Sequence, residues 1–242
     1  MTLNIWNYTS PWPDRRALIA RAITDRSPDV VALQEARHDF RFDHGRGQAE
    51  QIADLTGYCC TWALAQVYVP ILRLDEGLAI LTREPPMDVA EQRLSHFNSN
   101  RHDENRRICL SARVQIYGRV LDIYNTHFSL SPAAQRCNAR EVLAFIRRRS
   151  SGRPAVLMGD LNAEPASPAI DDLVTGGLLD CWRSANPHEP GFTYSSYRPV
   201  RRIDYVMGQA VRVANVSLAA NKPIGGTYPS DHLGVVVDLE RA

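Results

Sequence analysis

Apolar residues fall into two kinds of run along this chain. Short blocks such as TLNIW (2–6), DVVALQ (29–34) and AVLMG (155–159) are continuous and bounded by turn formers, the pattern of buried strands. Longer stretches with apolar positions every three or four residues predict helices. They cover 14–27 after Pro13, with Leu18, Ile19, Ala22 and Ile23 on one face, 47–57 ending at Gly57, 133–149 after Pro132, with Cys137, Val142, Phe145 and Ile146 inward, and 168–177.

From Cys59 to about Tyr124 the pattern turns to strands: CCTWALAQVYV, GLAILT, ICLSARVQIY and RVLDIYNTHF, the last two joined by a hairpin at YGR. RRIDYVMG, VRVANVSLA and HLGVVVDLE add strands near the C-terminal end, while the strand after Asp29 is expected to stop at Glu35. Two blocks of mixed strands, each with helices, predict two packed sheets covered by helices, a four-layer α/β/β/α sandwich. With no repeat, low-complexity segment or linker in its 242 residues, the chain is expected to be one domain, and a monomer.

A charged fraction of 23% with a net charge of +1 gives no global attraction for a polyanion, so nucleic acid is neither demanded nor excluded. No apolar run is long enough to cross a bilayer and no secretory signal pattern opens the chain. The five cysteines have no zinc-ligand spacing, and their odd number favours a reducing compartment; the expectation is a cytoplasmic protein with no membrane partner.

Several apolar runs deliver a polar residue to their C-terminal end. Asn7 follows LNIW, Glu35 follows VVALQ, His127 ends LDIYNT, Asp160 and Asn162 end VLMG, and Asp231 and His232 precede LGVVV. In two facing sheets such side chains would meet on one rim. Oxygen donors of Asn, Asp and Glu suit Mg²⁺ or Mn²⁺, and histidines exchange protons near neutrality. Together they suit hydrolysis at phosphorus.

The order of WN at Asn7, LQE at Glu35, EGLAIL at Glu76, NTHF at His127, GDLNAEP at Asp160 and Asn162, RIDYV at Asp204 and SDH at Asp231 and His232 resembles the endonuclease/exonuclease/phosphatase superfamily, the DNase I-like metal-dependent phosphohydrolases. The resemblance spans nearly the whole chain. It implies Glu35 as principal metal ligand with Asn7 close to metal and phosphate, Asp231 as a second metal or orienting carboxylate, and Asp160 as the acid that positions the attacking water. It also implies Asn162 as the amide on the phosphate, His232 as catalytic histidine and Asp204 as its partner. His127, where repair endonucleases usually carry Tyr, is expected to pair with Glu76, and Thr9, two after Asn7, also points away from the repair enzymes.

Each residue alone has an ordinary reading: Asn7 as a turn former, Glu35 as a loop acid, Asp160 as an Asx-turn residue, His127 as a core histidine, Asp204 as a partner of Arg201 or Arg202. Their joint order is what argues for a site. Arg107 is a substrate contact or a surface arginine; Arg147, Arg148 and Arg149 suit a solvated helix end. Trp12, Trp62, Phe192 and Tyr194 suit packing more than stacking on a base. The polar loops starting at Arg41 and Ser95, with His38, His44, His96 and His102 in or near them, are expected to set substrate choice. The substrate could be a small phosphoester, a lipid headgroup or DNA or RNA, and a non-catalytic scaffold on the same fold is the alternative from a different class.

Overall fold

The computed structural model describes residues 1–39, 41, 45–69, 74–97 and 105–240. The elements run β1 (Thr2–Asn4), α1 (Trp12–Arg26), β2 (Val30–His38), α2 (Gln48–Thr56), β3 (Cys59–Val69), β4 (Leu74–Thr82), β5 (Asp88–Arg93), β6 (Ile108–Ile116) and β7 (Arg119–His127). They continue with α3 (Pro132–Ser150), β8 (Ala155–Asp160), α4 (Pro168–Thr175), β9 (Leu179–Asp180), α5 (Cys181–Ala185), β10 (Asp204–Gln209), β11 (Val213–Ala219) and β12 (Gly234–Leu239). Two six-stranded sheets result, in the orders β11-β12-β1-β2-β4-β3 and β5-β6-β7-β8-β10-β9.

Three apolar clusters define the expected four layers. Ile19 and Ile23 of α1 and Ile52 of α2 pack on Leu3, Val31 and Leu33 of the first sheet. Val142, Phe145 and Ile146 of α3 and Leu173 of α4 cover Tyr124, Leu157 and Tyr205 of the second. Between the sheets, Ala32, Ile80, Leu110, Ile123, Val156, Met158 and Val235 form the central layer. The alternation of Val156 and Met158 inward with Leu157 outward explains why β8 is apolar throughout: it is covered on both faces.

Two details correct the expected elements. The inner face of α1 carries Trp12, Arg15, Ile19, Ala20 and Ile23, with Leu18 and Ala22 only half-buried. β2 does not stop at Glu35; it continues to His38 through a bulge, its register with β4 shifting between Leu33 and Ala36. Glu35 sits in that bulge at φ 55°, a left-handed conformation that costs an L-residue free energy and turns its side chain out of the ladder.

The bulge is supported from the opposite sheet. Asn125 of β7, fully buried, donates from Nδ2 to Leu33 O at 2.9 Å and Ala79 O at 2.8 Å, and accepts from Gln34 Nε2 at 2.7 Å. Buried amides and carbonyls left without partners cost about 1–3 kcal/mol each. Asn125→Leu, similar in size but unable to bond, is therefore expected to lower stability by roughly 3 kcal/mol or more. Thermal melting checks this: a shift on the order of 10 °C is expected for a chain of this size, and a melting point within a degree of wild type would show that the bulge is held otherwise.

Candidate active site

Strand register brings the polar strand ends together. Asp160, last in β8, is paired with His127 on parallel β7 and with Asp204 on antiparallel β10. Gly159 before it has φ 149°, and a Cβ there would lie 1.9 Å from Thr126 O, so the close approach of β8 to β7 requires glycine. Asn162, at φ 49°, turns the chain back: its N–H donates to Asp160 Oδ1 at 2.9 Å and its Nδ2 to Phe128 O at 3.0 Å. The GDLN motif is thus a strand end folded into an Asx turn whose acid is buried.

His232 Nε2 lies 3.7 Å from Asp160 Oδ2, and its Nδ1 lies 2.9 Å from Asp204 Oδ2. The carboxylate fixes the Nδ1–H tautomer. Burial alone would lower the imidazole's pKa, but the Asp204 and Asp160 charges, the Asp204 hydrogen bond and Asp231 outweigh it and push it up to about 10. Burial, reinforced by the charge of Asp204, pushes Asp160 in the opposite direction from an ordinary carboxylate, up to about 7. The acid and the imidazole therefore influence each other's protonation across the buried site.

From the other sheet comes a residue absent from the sequence-based set. Asn4, the buried last residue of β1, donates from Nδ2 to Asp160 Oδ2 at 3.0 Å and to Glu35 Oε1 at 3.1 Å, while its Oδ1 accepts from Trp6 N at 2.9 Å. Asn7 donates to Glu35 Oε2 at 3.1 Å. The two amides hold both oxygens of Glu35, and Asn7 presents hydrogen rather than oxygen to the position expected for a cation. Thr9 Oγ1 donates to Asn7 Oδ1 at 3.3 Å.

Arg15 of α1, which a helix pattern would place among solvated cations, is 1% exposed. Its guanidinium donates to the carbonyls of Ile5, Trp6, Asn7, Thr9 and Pro229 and lies against the rings of Trp6 and Trp12 at 5.0 and 5.7 Å. Burial lowers its pKa to about 10, which leaves it charged at neutrality. It clamps the Ile5–Thr9 turn, where Trp6 and Asn7 both have positive φ, to the segment before Asp231. Ser230 completes the junction by donating from Oγ to Asn4 O at 2.6 Å.

The expected pair of His127 with Glu76 is not formed. Glu76 is the cross-strand neighbour of Arg37, whose Nε donates to Glu76 Oε2 at 2.9 Å, and Tyr68 donates to its Oε1 at 3.3 Å. His127 instead faces Arg107 Nη1 with Nδ1 at 3.0 Å, and its Nε2 lies 3.4 Å from Asp160 Oδ2. Burial, with the positive charges of Arg107 and His232, holds its pKa well below the ordinary histidine value.

The other candidates do not converge here. Arg148 and Arg149 bind Gln92, Ser111 and Asp88, and Arg147 caps Gly176 O, so these cations tie α3 to its neighbours. Asp204 does not pair with Arg202, which binds Asp180 at 2.6 Å, nor does Arg201, which binds Glu164. Trp12 is packed, Trp62 stacks on His38 at 4.1 Å, and Phe192 is partly exposed; Tyr194 alone of that group reaches the site, 4.8 Å from the His232 ring. His44 and His102 lie outside the described residues, as do the centres of the two polar loops.

The donor set suits a hard divalent cation. Asp231 is half-buried and its pKa is raised by burial and by the charge of Glu35; that of Glu76 is raised by the same two causes. Carboxylates that repel each other in a partly dry site are the arrangement that Mg²⁺ or Mn²⁺ relieves. Asp160, Asp204 and His232 offer ligand atoms within 4.8 Å of one another, all buried. There, however, His232 Nδ1 is committed to Asp204 and all three residues are buried, whereas Glu35, steadied by Asn4 and Asn7, and Asp231 are the more accessible oxygen donors.

Comparisons with known proteins agree with this architecture. Nocturnin from Drosophila melanogaster is 23% identical over 273 residues, covering 95% of this chain, which spans 42% of that relative's length. The crystal structure of an endonuclease/exonuclease/phosphatase from Beutenbergia cavernae has a TM-score of 0.80 at 28% identity, covering 98% of this chain and 70% of that one. A Bacteroides thetaiotaomicron mannosyl-6-phosphatase shares the fold at a TM-score of 0.81 and 20% identity, covering 99% and 98%. The family model matches residues 1–232, and the chain belongs to the endonuclease/exonuclease/phosphatase family.

Proposed function

We propose that this chain is a divalent-cation-dependent hydrolase of phosphoester bonds, acting as a single catalytic domain. The observation that carries the reading is Asp160: a buried acid that receives hydrogen bonds from Asn4 and Asn162 and has an imidazole on either side. Family membership supports it, and the mannosyl-6-phosphatase shows that the fold serves phosphate-ester chemistry elsewhere.

In this reading Glu35 and Asp231 hold Mg²⁺ or Mn²⁺, oriented by Asn4 and Asn7. The cation supplies charge neutralisation at the phosphate oxygens. Asp160 accepts the proton of a water that attacks phosphorus in line with the leaving oxygen. His232, protonated between Asp204 and Asp160, donates to the phosphoryl oxygens or to the departing alkoxide. Arg107, Asn162 and His127 bind the phosphate, and Glu76 serves indirectly by holding Arg37. No described helix is long and apolar enough to cross a membrane. A small soluble phosphoester is the substrate class that the neutral net charge favours over a nucleic acid.

Turnover of bis-p-nitrophenyl and p-nitrophenyl phosphate with Mg²⁺, Mn²⁺ or EDTA tests this directly. Cation-dependent hydrolysis that falls at least about 100-fold in Asp160→Ala and in His232→Ala is expected; near-normal rates in both folded variants would sink the assignment. Asn4→Ala, which frees both Glu35 and Asp160, is expected to lose more activity than Asn7→Ala, which frees only one oxygen of Glu35. Equal losses would return Asn7 to the central place.

Cation binding should also depend on pH. Burial and the charge of Glu35 raise the pKa of Asp231, so a proton competes with a cation for this carboxylate more strongly as the pH falls. Saturating Mg²⁺ is expected to raise the melting temperature by several degrees at pH 8 and by clearly less at pH 6. An equal rise at both, or none, would remove Asp231 from the cation site.

A further inference from the structure

We infer that Arg107 is a positioning residue that holds His127 as a neutral imidazole with its proton on Nε2, so that His127 acts as a fixed hydrogen-bond donor and not as a general acid. The inference rests on the phosphoester-hydrolase reading for its catalytic meaning, but its geometry stands independently.

A guanidinium has only donors. Its Nη1 lies 3.0 Å from His127 Nδ1, so that ring nitrogen must offer a lone pair. An imidazolium has no lone pair and is excluded by this contact. The single proton of the ring is then on Nε2, which faces Asp160 Oδ2 at 3.4 Å, an acceptor. His232 is wired in the opposite sense: a carboxylate, Asp204, stands behind its Nδ1 at 2.9 Å and keeps a proton there. The two imidazoles approach the same oxygen of Asp160, one backed by a cation and the other by an anion.

Arg107 itself is placed for little else. It is 7% exposed, its Nε is buried without a partner, and it makes no ion pair among the described residues. Burying an unpaired cation is costly unless an anion arrives. Glu76, the nearby acid, is engaged by Arg37 and Tyr68. The guanidinium therefore has one ring nitrogen to direct and its remaining hydrogens for an incoming phosphate. This wiring departs from a histidine backed by a carboxylate, which would raise the basicity of the ring; here the backing cation lowers it.

Nitrogen-15 NMR of the histidine rings in the full chain, without added cation at pH 7.5, reads the tautomer directly. His127, assigned by comparison with His127→Gln, is expected to show a neutral ring protonated on Nε2, and Arg107→Met is expected to restore a mixture of tautomers. A ring protonated on Nδ1, or on both nitrogens, in the wild type would overturn the inference. Kinetics give an independent reading. Gln can donate one hydrogen bond but cannot act as an acid, so His127→Gln is expected to retain activity within about tenfold, against about 100-fold or more lost if His127 were a general acid. Arg107→Lys, which can still donate to Nδ1, is expected to recover part of the kcat lost in Arg107→Met. Failure of all variants and of wild type to turn over any phosphoester would remove the hydrolase reading while leaving the tautomer result intact.

Discussion

The amide of Asn4 is the contact on which the site depends, because it ties together carboxylates from two sheets whose shared layer is mainly apolar. Its Nδ2 lies within 3.1 Å of a carboxylate from each sheet, Glu35 on β2 and Asp160 on β8. Apolar packing between sheets fixes their separation but tolerates sliding of a fraction of an ångström. A hydrogen bond that must satisfy both acids does not. The strands are arranged around that requirement: the bulge turns Glu35 toward Asn4, Asn125 supports the bulge from the second sheet, and Ser230 binds the carbonyl of Asn4 so that the segment carrying His232 follows the same residue.

Arg15 extends this constraint to the surface. The turn after β1 has two successive non-glycine residues at positive φ, Trp6 and Asn7, and the local bonds from Trp6 N to Asn4 Oδ1 and from Thr9 N to Trp6 O are only part of what holds it. Five carbonyls directed at one buried guanidinium make the turn favourable. A cation buried without a contacting carboxylate is tolerated because Asp231 and Glu35 lie close enough to stabilise its charge. The acids that steady this guanidinium are the same two that the proposed divalent cation would neutralise.

Much of the fold was legible in the sequence because periodicity and burial coincide there. β8 is apolar on both faces since both are covered, and α3 shows its inward stripe clearly. β5 (DVAEQR), an edge strand with no apolar run, and the short β9 and α5 left no such pattern. Within the site, residues at strand ends stood out because a polar group after an apolar run has no packing role. Asn4 did not, since an amide inside a three-residue strand looks like a defect in the run, and Asn7 offered itself three residues later. Arg15 was hidden by a helix that also carries the exposed Arg21 and Arg26. The partner of Glu76 could not be read at all, because it is set by the register of β2 against β4, which places Arg37 opposite it.

That last exchange changes the chemistry more than the fold. A carboxylate behind His127 would give it the same character as His232, and two basic imidazoles beside one buried acid would compete for the same proton. Placing Arg107 behind His127 and leaving Asp204 behind His232 separates their protonation states without moving either ring. The cost is a buried cation with an orphaned Nε and a buried Asp204 Oδ1, each unsatisfied within the protein. Such defects are stable only because the surrounding sheets are over-determined. The two orphans ask for opposite partners: Arg107 is a donor that an anionic oxygen would satisfy, and Asp204 Oδ1 is an acceptor that only a hydrogen-bond donor or a cation would satisfy. Of the two, it is the arginine that would favour a bound phosphoester over water.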